Sequence, residues 1–210
     1  MVRVDPLALT ADELRLMTLL GPPLITSPRA VKRLTNSYGV LAACRPRTPD
    51  GERLELSPVP DQLDGDPPAT CDAGAPAYPY RAGLVLLAAV VGYPDLGPEF
   101  FTALYRAAQA DPGQAWTQWL EGQRPTPRTS PTDLPGADPP RLSSKRDERL
   151  HDLIDALQHV ARAAGLAGLA LPRRLDSWSD WVIPVGRLSF PTGPAVTRLM
   201  KPPATTTMQE

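Results

Sequence analysis

Apolar residues recur at intervals of three and four over several separate stretches of the chain, which is the spacing of helices that bury one face. Start signals agree, because Thr10-Ala11-Asp12-Glu13 forms a capping-box sequence and Pro28 and Pro98 suit the first helical position. Gly21-Pro22-Pro23 is expected to end the first helix. We therefore predict an irregular all-α multi-helix protein. The predicted helices are residues 10–20, 28–44, 81–91, 98–110, 115–121, 144–164 and 173–181.

Two of these helices stand out by their apolar surface. Residues 81–91 are apolar on every side, but the run ends at Gly92-Tyr93-Pro94, well short of the ~20 residues of a membrane span. We predict a buried central helix, with a buried strand as the alternative because several of its residues are β-branched. The helix at 144–164, which should end at Gly165, has the longest apolar stripe: Leu150, Leu153, Ile154, Leu157, Val160, Ala161 and Ala164.

Proline-rich segments divide the chain. It contains 27 prolines in 210 residues, far above the usual ~5%, so long segments are not regular helix. We expect a helical hairpin at 1–45, in which the first helix packs on the second, then a proline-rich linker at 46–80. A helical domain at 81–190 follows, with a proline-rich insertion at 122–143. The tail at 191–210 is predicted to be disordered.

The net charge of the chain does not favour any particular class of binding partner. The formal charge is −1, which gives no overall attraction to nucleic acid or to an anionic membrane. The N-terminus lacks the apolar run of a signal peptide, so we expect a cytoplasmic protein with reduced thiols at Cys44 and Cys71. These cysteines and the two histidines, His151 and His159, are not at ligand spacing, and no metal site is expected.

Two tryptophan pairs share the spacing i, i+3. Trp116 and Trp119 form one pair, and Trp178 and Trp181 form the other. Paired indoles can stack on a nucleic-acid base, but we favour the interpretation that they anchor a small core. Since no carboxylate pair or catalytic triad accompanies them, we expect no catalysis by the chain on its own.

The second predicted helix has a cationic face and an apolar face. Ser27 can cap it. Around the helix axis, Arg33 and Asn36 lie within about 40° of Arg29, and Lys32 lies about 60° from it. Cations at a helix N-terminus are repelled by the helix macrodipole. The basic face can be solvated by water or paired with nearby carboxylates. Alternatively, it forms a binding site for an anion, above all for phosphate. The opposite face carries Val31, Leu34, Tyr38 and Leu41.

This helix also carries a family resemblance. Residues 27–38, Ser-Pro-Arg-Ala-Val-Lys-Arg-Leu-Thr-Asn-Ser-Tyr, resemble the PRxxKRxxN helix that follows the nucleotide-binding core in KAP-type and STAND-like P-loop NTPases. Residues 91–96 and 181–190 are similar to parts of the C-terminal extension of large bacterial members. In the wider AAA-like group, an arginine at the start of such a lid helix can contact nucleotide phosphate. The nucleotide-binding candidates implied by the resemblance are Arg29, Lys32, Arg33 and Asn36.

The sequence departs from that family at the phosphate-binding loop. A P-loop requires G-x-x-x-x-G-K-[ST], yet no Gly-Lys pair occurs anywhere. We interpret the chain as the portion C-terminal to an NTPase core, encoded separately or cut short, or as a stand-alone relative that has lost the core. It would then be an accessory lid region in which Arg29 senses phosphate.

This interpretation sets the expected cofactors and partners. We expect no cofactor for the chain alone, and ATP with Mg²⁺ only together with a separate NTPase core. The alternative, from a different class, is a small helical protein-interaction module whose basic helix docks an acidic partner. Nucleic acid is a weaker third reading, because only one short cationic face exists.

Overall fold

The helices of this protein surround one strongly apolar helix. A computed structural model describes residues 9–43, 80–125, 145–169, 171–189 and 191–199. Within these ranges the chain forms helices and no strand, which confirms the all-α prediction. The helices are α1 Ala11–Leu24, α2 Pro28–Ala43, α3 Arg81–Gly92, α4 Gly97–Ala110, α5 Trp116–Gly122, α6 Lys145–Leu166, α7 Leu175–Ser179, α8 Val182–Gly186 and α9 Gly193–Leu199.

Helix α3 occupies the centre of the core. Every residue from Ala82 to Val91 is buried, and α1, α2, α6, α7 and α8 pack around it. At its end, a Cβ atom on Gly92 would come within 2.1 Å of the Leu24 carbonyl oxygen, so glycine is required where α1 and α3 meet. The prediction of a buried central helix is confirmed, and the strand alternative is wrong. None of the helices named above has the length and apolarity that crossing a bilayer requires.

Helix α1 runs further than its sequence predicted. Pro22 and Pro23 lie inside the helix rather than ending it. Each proline removes one backbone hydrogen bond, but the last turn remains helical because its apolar side chains are packed in the core. Leu14 is 51% exposed. The face that is buried consists of Leu16, Leu20 and Leu24.

Helices α1 and α2 contact each other through the Tyr38–Glu13 hydrogen bond, but most of their packing is with other helices. Helix α1 packs mainly against α6 and α3, and α2 packs against α3. Because α3 is apolar on all sides, α1 and α2 can each pack against a different side of it. One continuous core joins α1 and α2 to the later helices, so the division between 1–45 and 81–190 does not separate two cores. The predicted linker at 46–80 and insertion at 122–143 fall mostly outside the described residues.

The end of the described chain also differs from expectation. The single helix predicted at 173–181 is replaced by the two short helices α7 and α8. Helix α9 lies within the predicted disordered tail and packs against α4 and α8. Val196 is fully buried there and Leu199 packs against the core, so α9 is held by its contacts with the preformed surface of α4 and α8. The prediction of disorder is therefore wrong for residues 191–199, and residues 200–210 lie outside the described ranges.

Helix α6 buries its predicted stripe but ends later than Gly165. Gly168 adopts a left-handed conformation with φ of 71°. The Leu169 N–H donates to the Ala164 carbonyl at 2.8 Å, and the Gly168 N–H donates to the Gly165 carbonyl at 3.2 Å. These are the two hydrogen bonds of a Schellman motif. The glycine that terminates the helix is therefore Gly168, since Gly165 lies within the last turn.

Candidate functional site

The start of α2 is capped by its own sequence. The Ser27 hydroxyl accepts a hydrogen bond from the Ala30 N–H at 3.2 Å, and the Ser27 carbonyl accepts one from the Val31 N–H at 3.0 Å. Pro28 has no N–H, so Arg29 supplies the one first-turn amide that is left to bind an anion. The capping prediction is confirmed. A phosphate at this point would be held mainly by side chains rather than by a cradle of amides.

The apolar face of α2 fixes the direction of the cationic face. Leu34, Tyr38 and Leu41 are buried as predicted. The Tyr38 hydroxyl donates a 2.5 Å hydrogen bond to Glu13 of α1. Val31 departs from the prediction with an exposed fraction of 51%, because the burial of α2 begins only at Leu34, in the second turn. The first turn of the helix is therefore accessible on both sides.

The four residues predicted as nucleotide-binding candidates lie together on the solvent side of α2. Arg29, Lys32, Arg33 and Asn36 are all exposed. Helix α2 contains no acidic residue. None of its three cations forms an ion pair within the part of the chain that the structure describes. No carboxylate within the described ranges therefore neutralises this charge.

Arginines elsewhere in the fold behave differently. Arg81 pairs with Asp12 at 2.8 Å and joins α3 to α1. Arg149 pairs with Asp95 at 2.8 Å, and this pair joins the start of α6 to the turn before α4. Arg146 pairs with Glu99 of α4. Arg146 and Arg149 therefore connect the start of α6 with α4 and the turn before it.

A second polar cluster connects the end of α5 with α6. Arg124 donates to Glu121 at 2.9 Å, to Asp155 at 2.6 Å and to Gln158 at 2.8 Å. Gln158 also donates to Glu121, and His151 lies 3.3 Å from Asp155. Hydrogen bonds from Gln158 and Arg124 lower the pKa of Glu121. The cations and carboxylates satisfy one another, so the cluster holds two helices together and offers no open ligand position.

Sequence reasoning missed the Arg124 cluster because its signal is not local. Arg124 follows α5 at the edge of a proline-rich segment, while Asp155 and Gln158 lie 31 and 34 residues further along the chain. The one local clue is the i, i+3 spacing of Glu121 and Arg124. His151 is half-buried at the edge of the cluster.

The tryptophans are core residues. All four indoles are buried, and the rings of Trp116 and Trp178 stack with centroids 3.8 Å apart and an interplanar angle of 9°. Phe100 lies across the edge of Trp119 at 5.3 Å. The Trp178 indole N–H donates to the Pro172 carbonyl at 2.8 Å, while that of Trp181 has no hydrogen-bond partner among the described residues. The core interpretation is confirmed, since no buried ring is accessible to a base.

A groove of about 530 Å³ lies between α5, the C-terminal half of α6 and the chain before α7. Its lining is mostly small or apolar residues, among them Ala161, Gly165 and Pro172, together with Thr117 and Arg173. The described residues of the lining include no carboxylate or histidine. The described ranges hold no group of histidine, cysteine and acidic residues that could bind a metal ion. The exposed cations of α2 are therefore the strongest candidate for a functional surface.

No protein-family model, no curated protein and no solved structure matches this chain.

Proposed function

We propose that this chain is a helical accessory region, without catalysis of its own, that binds an acidic segment of a partner protein through α2. The observation that supports this proposal is the exposed group of three cations, Arg29, Lys32 and Arg33, with no ion pair to any described residue. The cytoplasmic location expected from the sequence is part of the same proposal.

The energetics of the helix end favour a bound anion. Each cation in the first turn opposes the macrodipole by ~0.3–1 kcal/mol. Glu13, an acidic residue of the neighbouring α1, is engaged with the Tyr38 hydroxyl and with the Thr10 N–H. An incoming carboxylate would relieve the repulsion and gain charge-assisted hydrogen bonds from the arginines.

The spacing of the cations favours a peptide over a single small anion. Arg29 and Arg33 are one helical turn apart, about 6 Å along the axis, so they suit two carboxylates on successive turns of a partner helix. Val40 continues the same side of α2 and is 53% exposed, which adds an apolar contact beyond the charged turn.

A second candidate is the nucleotide phosphate of a P-loop NTPase core in another chain, as the resemblance of α2 implies. It is supported by the free amide and exposed guanidinium of Arg29, which can meet at one oxyanion. It ranks second because the other first-turn amides are already used by Ser27.

The test uses a fluorescent poly-glutamate peptide and, separately, ATP with Mg²⁺. Titration of wild type is compared with the double variant Arg29→Glu, Arg33→Glu. We expect the peptide to bind wild type and to bind the variant at least about tenfold more weakly, which corresponds to about 1.4 kcal/mol. We expect no tight binding of ATP by the chain alone, because there is no P-loop.

A matched control has the same change of net charge elsewhere. Arg106 of α4 and Arg198 of α9 are also exposed and form no ion pair with any described residue. The variant Arg106→Glu, Arg198→Glu should bind the peptide with nearly wild-type affinity. Equal losses in both double variants would show a nonspecific charge effect and would overturn the proposal. Tight ATP binding that depends on Arg29 would instead support the second candidate.

A further inference from the structure

Helix α6 has an acidic row that mirrors the basic row of α2. Glu148 and Asp152 are exposed, are one turn apart, and form no hydrogen bond or ion pair in the part of the chain that the structure describes. They differ from the neighbouring Asp155, which Arg124 engages at 2.6 Å. Their exposed side of α6 ends in Leu166, which is 91% exposed.

The two rows match in spacing and oppose in charge. Arg29 and Arg33 on α2, and Glu148 and Asp152 on α6, are each separated by four residues, about 6 Å of helix. Both helices are long enough for such a contact, with 16 and 22 residues. Within one chain, no ion pair joins the two rows among the described residues. Each copy therefore presents both halves of a contact that the described residues do not satisfy internally.

We propose that two copies of this chain associate, with α2 of one copy lying against α6 of the other. This inference rests on the proposed function and names the acidic partner as a second copy. A twofold arrangement repeats the contact, so Arg29 and Arg33 of each copy meet Glu148 and Asp152 of the other. The charged rows fix the pairing of the two helices.

The strength of this contact follows from its exposure. Exposed ion pairs are individually weak and are screened by salt. The complex should therefore be reversible, should form at high protein concentration and should disappear near 1 M salt, where the Debye length is about 3 Å.

The experiment is sedimentation analysis of the full chain from about 10 µM to about 1 mM, the range in which weak complexes dissociate. We expect wild type to form dimers at low salt. The variant Arg29→Glu, Arg33→Glu should remain monomeric, because acidic rows then face each other. The variant Glu148→Lys, Asp152→Lys should also remain monomeric, because both rows are then basic.

The decisive sample combines all four substitutions in one chain. The rows are then exchanged, the net charge returns to −1, and dimers should form again as in wild type. The control Arg106→Glu, Arg198→Glu should dimerise like wild type. Recovery in the combined variant excludes misfolding as the cause of the losses.

Several results would overturn the inference. They are a monomeric wild type at every concentration, a dimer that survives both charge reversals, or no recovery in the combined variant. None of these affects the poly-glutamate titration at about 1 µM, where the dimer is dissociated. Failure of self-association with retained peptide binding would therefore leave the proposed function standing, whereas loss of specific peptide binding would remove the proposed function separately.

Discussion

Helices α2 and α6 both carry several cations near their N-termini, yet the fold uses them in opposite ways. Arg146 and Arg149 of α6 reach carboxylates on or just before α4, whereas Arg29 and Arg33 of α2 contact no described acidic residue. The difference lies in the neighbours, because α6 starts beside Asp95 and Glu99. Basic residues in a helix therefore indicate a binding surface only when the tertiary neighbours leave them unpaired.

The largest effect is expected for a substitution in α6, which shows whether the apolar stripe or the ion pairs of this helix contribute more to stability. Leu157 is buried at the centre of that stripe. Replacing it with aspartate should lower the free energy of unfolding by several kcal/mol, because an unpaired charge would enter the core. Leu166→Asp on the same helix is the control, since Leu166 is 91% exposed. Denaturant unfolding should separate the two variants clearly, and similar losses would contradict this account of α6.

The next effect concerns binding by α2. Arg29→Ala should weaken binding of the poly-glutamate peptide by ~0.2–1 kcal/mol, the usual range for an exposed ion pair, with the thermal midpoint nearly unchanged. Arg29→Lys retains the charge but loses the planar fork. Partial recovery with lysine would indicate bidentate recognition, and full recovery would indicate charge alone. Unchanged affinity in Arg29→Ala would remove Arg29 from the binding surface.

A smaller effect on stability is expected for Arg124, which is an ion-paired cation, unlike the exposed cations of α2. Arg124→Met should lower the thermal midpoint, because it breaks hydrogen bonds between the end of α5 and α6, and Glu121→Gln should do so less. The pKa of Glu121 is lowered in the folded state, so its stabilising contribution is present at neutral pH and is lost as the pH falls through the folded pKa. The midpoints of wild type and Glu121→Gln should therefore converge in acid. A gap that does not change with pH would contradict the role of the carboxylate.

The smallest effect is expected at Arg33. Arg33→Ala should leave stability unchanged or raise it by ~0.2–0.5 kcal/mol, since it removes the like-charge pair that Arg33 forms with Arg29 at i, i+4. Arg106→Ala, in the middle of α4, lacks this benefit and serves as the reference. Precise thermal unfolding at low salt is the measurement. A clear loss of stability in Arg33→Ala would mean that the side chain makes a structural contact, contrary to its exposed position.

Local signals were sufficient for most helices and for the central position of α3. Its ten consecutive buried residues appear in the sequence as a run with no polar side. The Ser27 cap, the tryptophan anchors and the stripe of α6 were also readable, because each depends on residues within a few positions of one another.

Features that depend on contacts between residues far apart in the sequence could not be predicted from it. The choice of α6 and α3 as partners of α1 reflects which leucines face inward, and Leu14 and Leu16 look equivalent in sequence. Helix α9 is ordered by the burial of Val196, which requires the surface of α4 and α8 to exist first. For the candidate site, the sequence located the cationic residues, but their lack of carboxylate neighbours became visible only in the fold.

The stacked indoles of Trp116 and Trp178 have a spectroscopic consequence. Two parallel rings with centroids 3.8 Å apart couple their electronic transitions, so the folded protein should show an exciton feature in near-ultraviolet circular dichroism. Because one ring belongs to α5 and the other to α7, the signal reports the contact between two distant parts of the chain. Its amplitude would give a label-free optical readout of tertiary packing that secondary-structure signals from the helices do not supply.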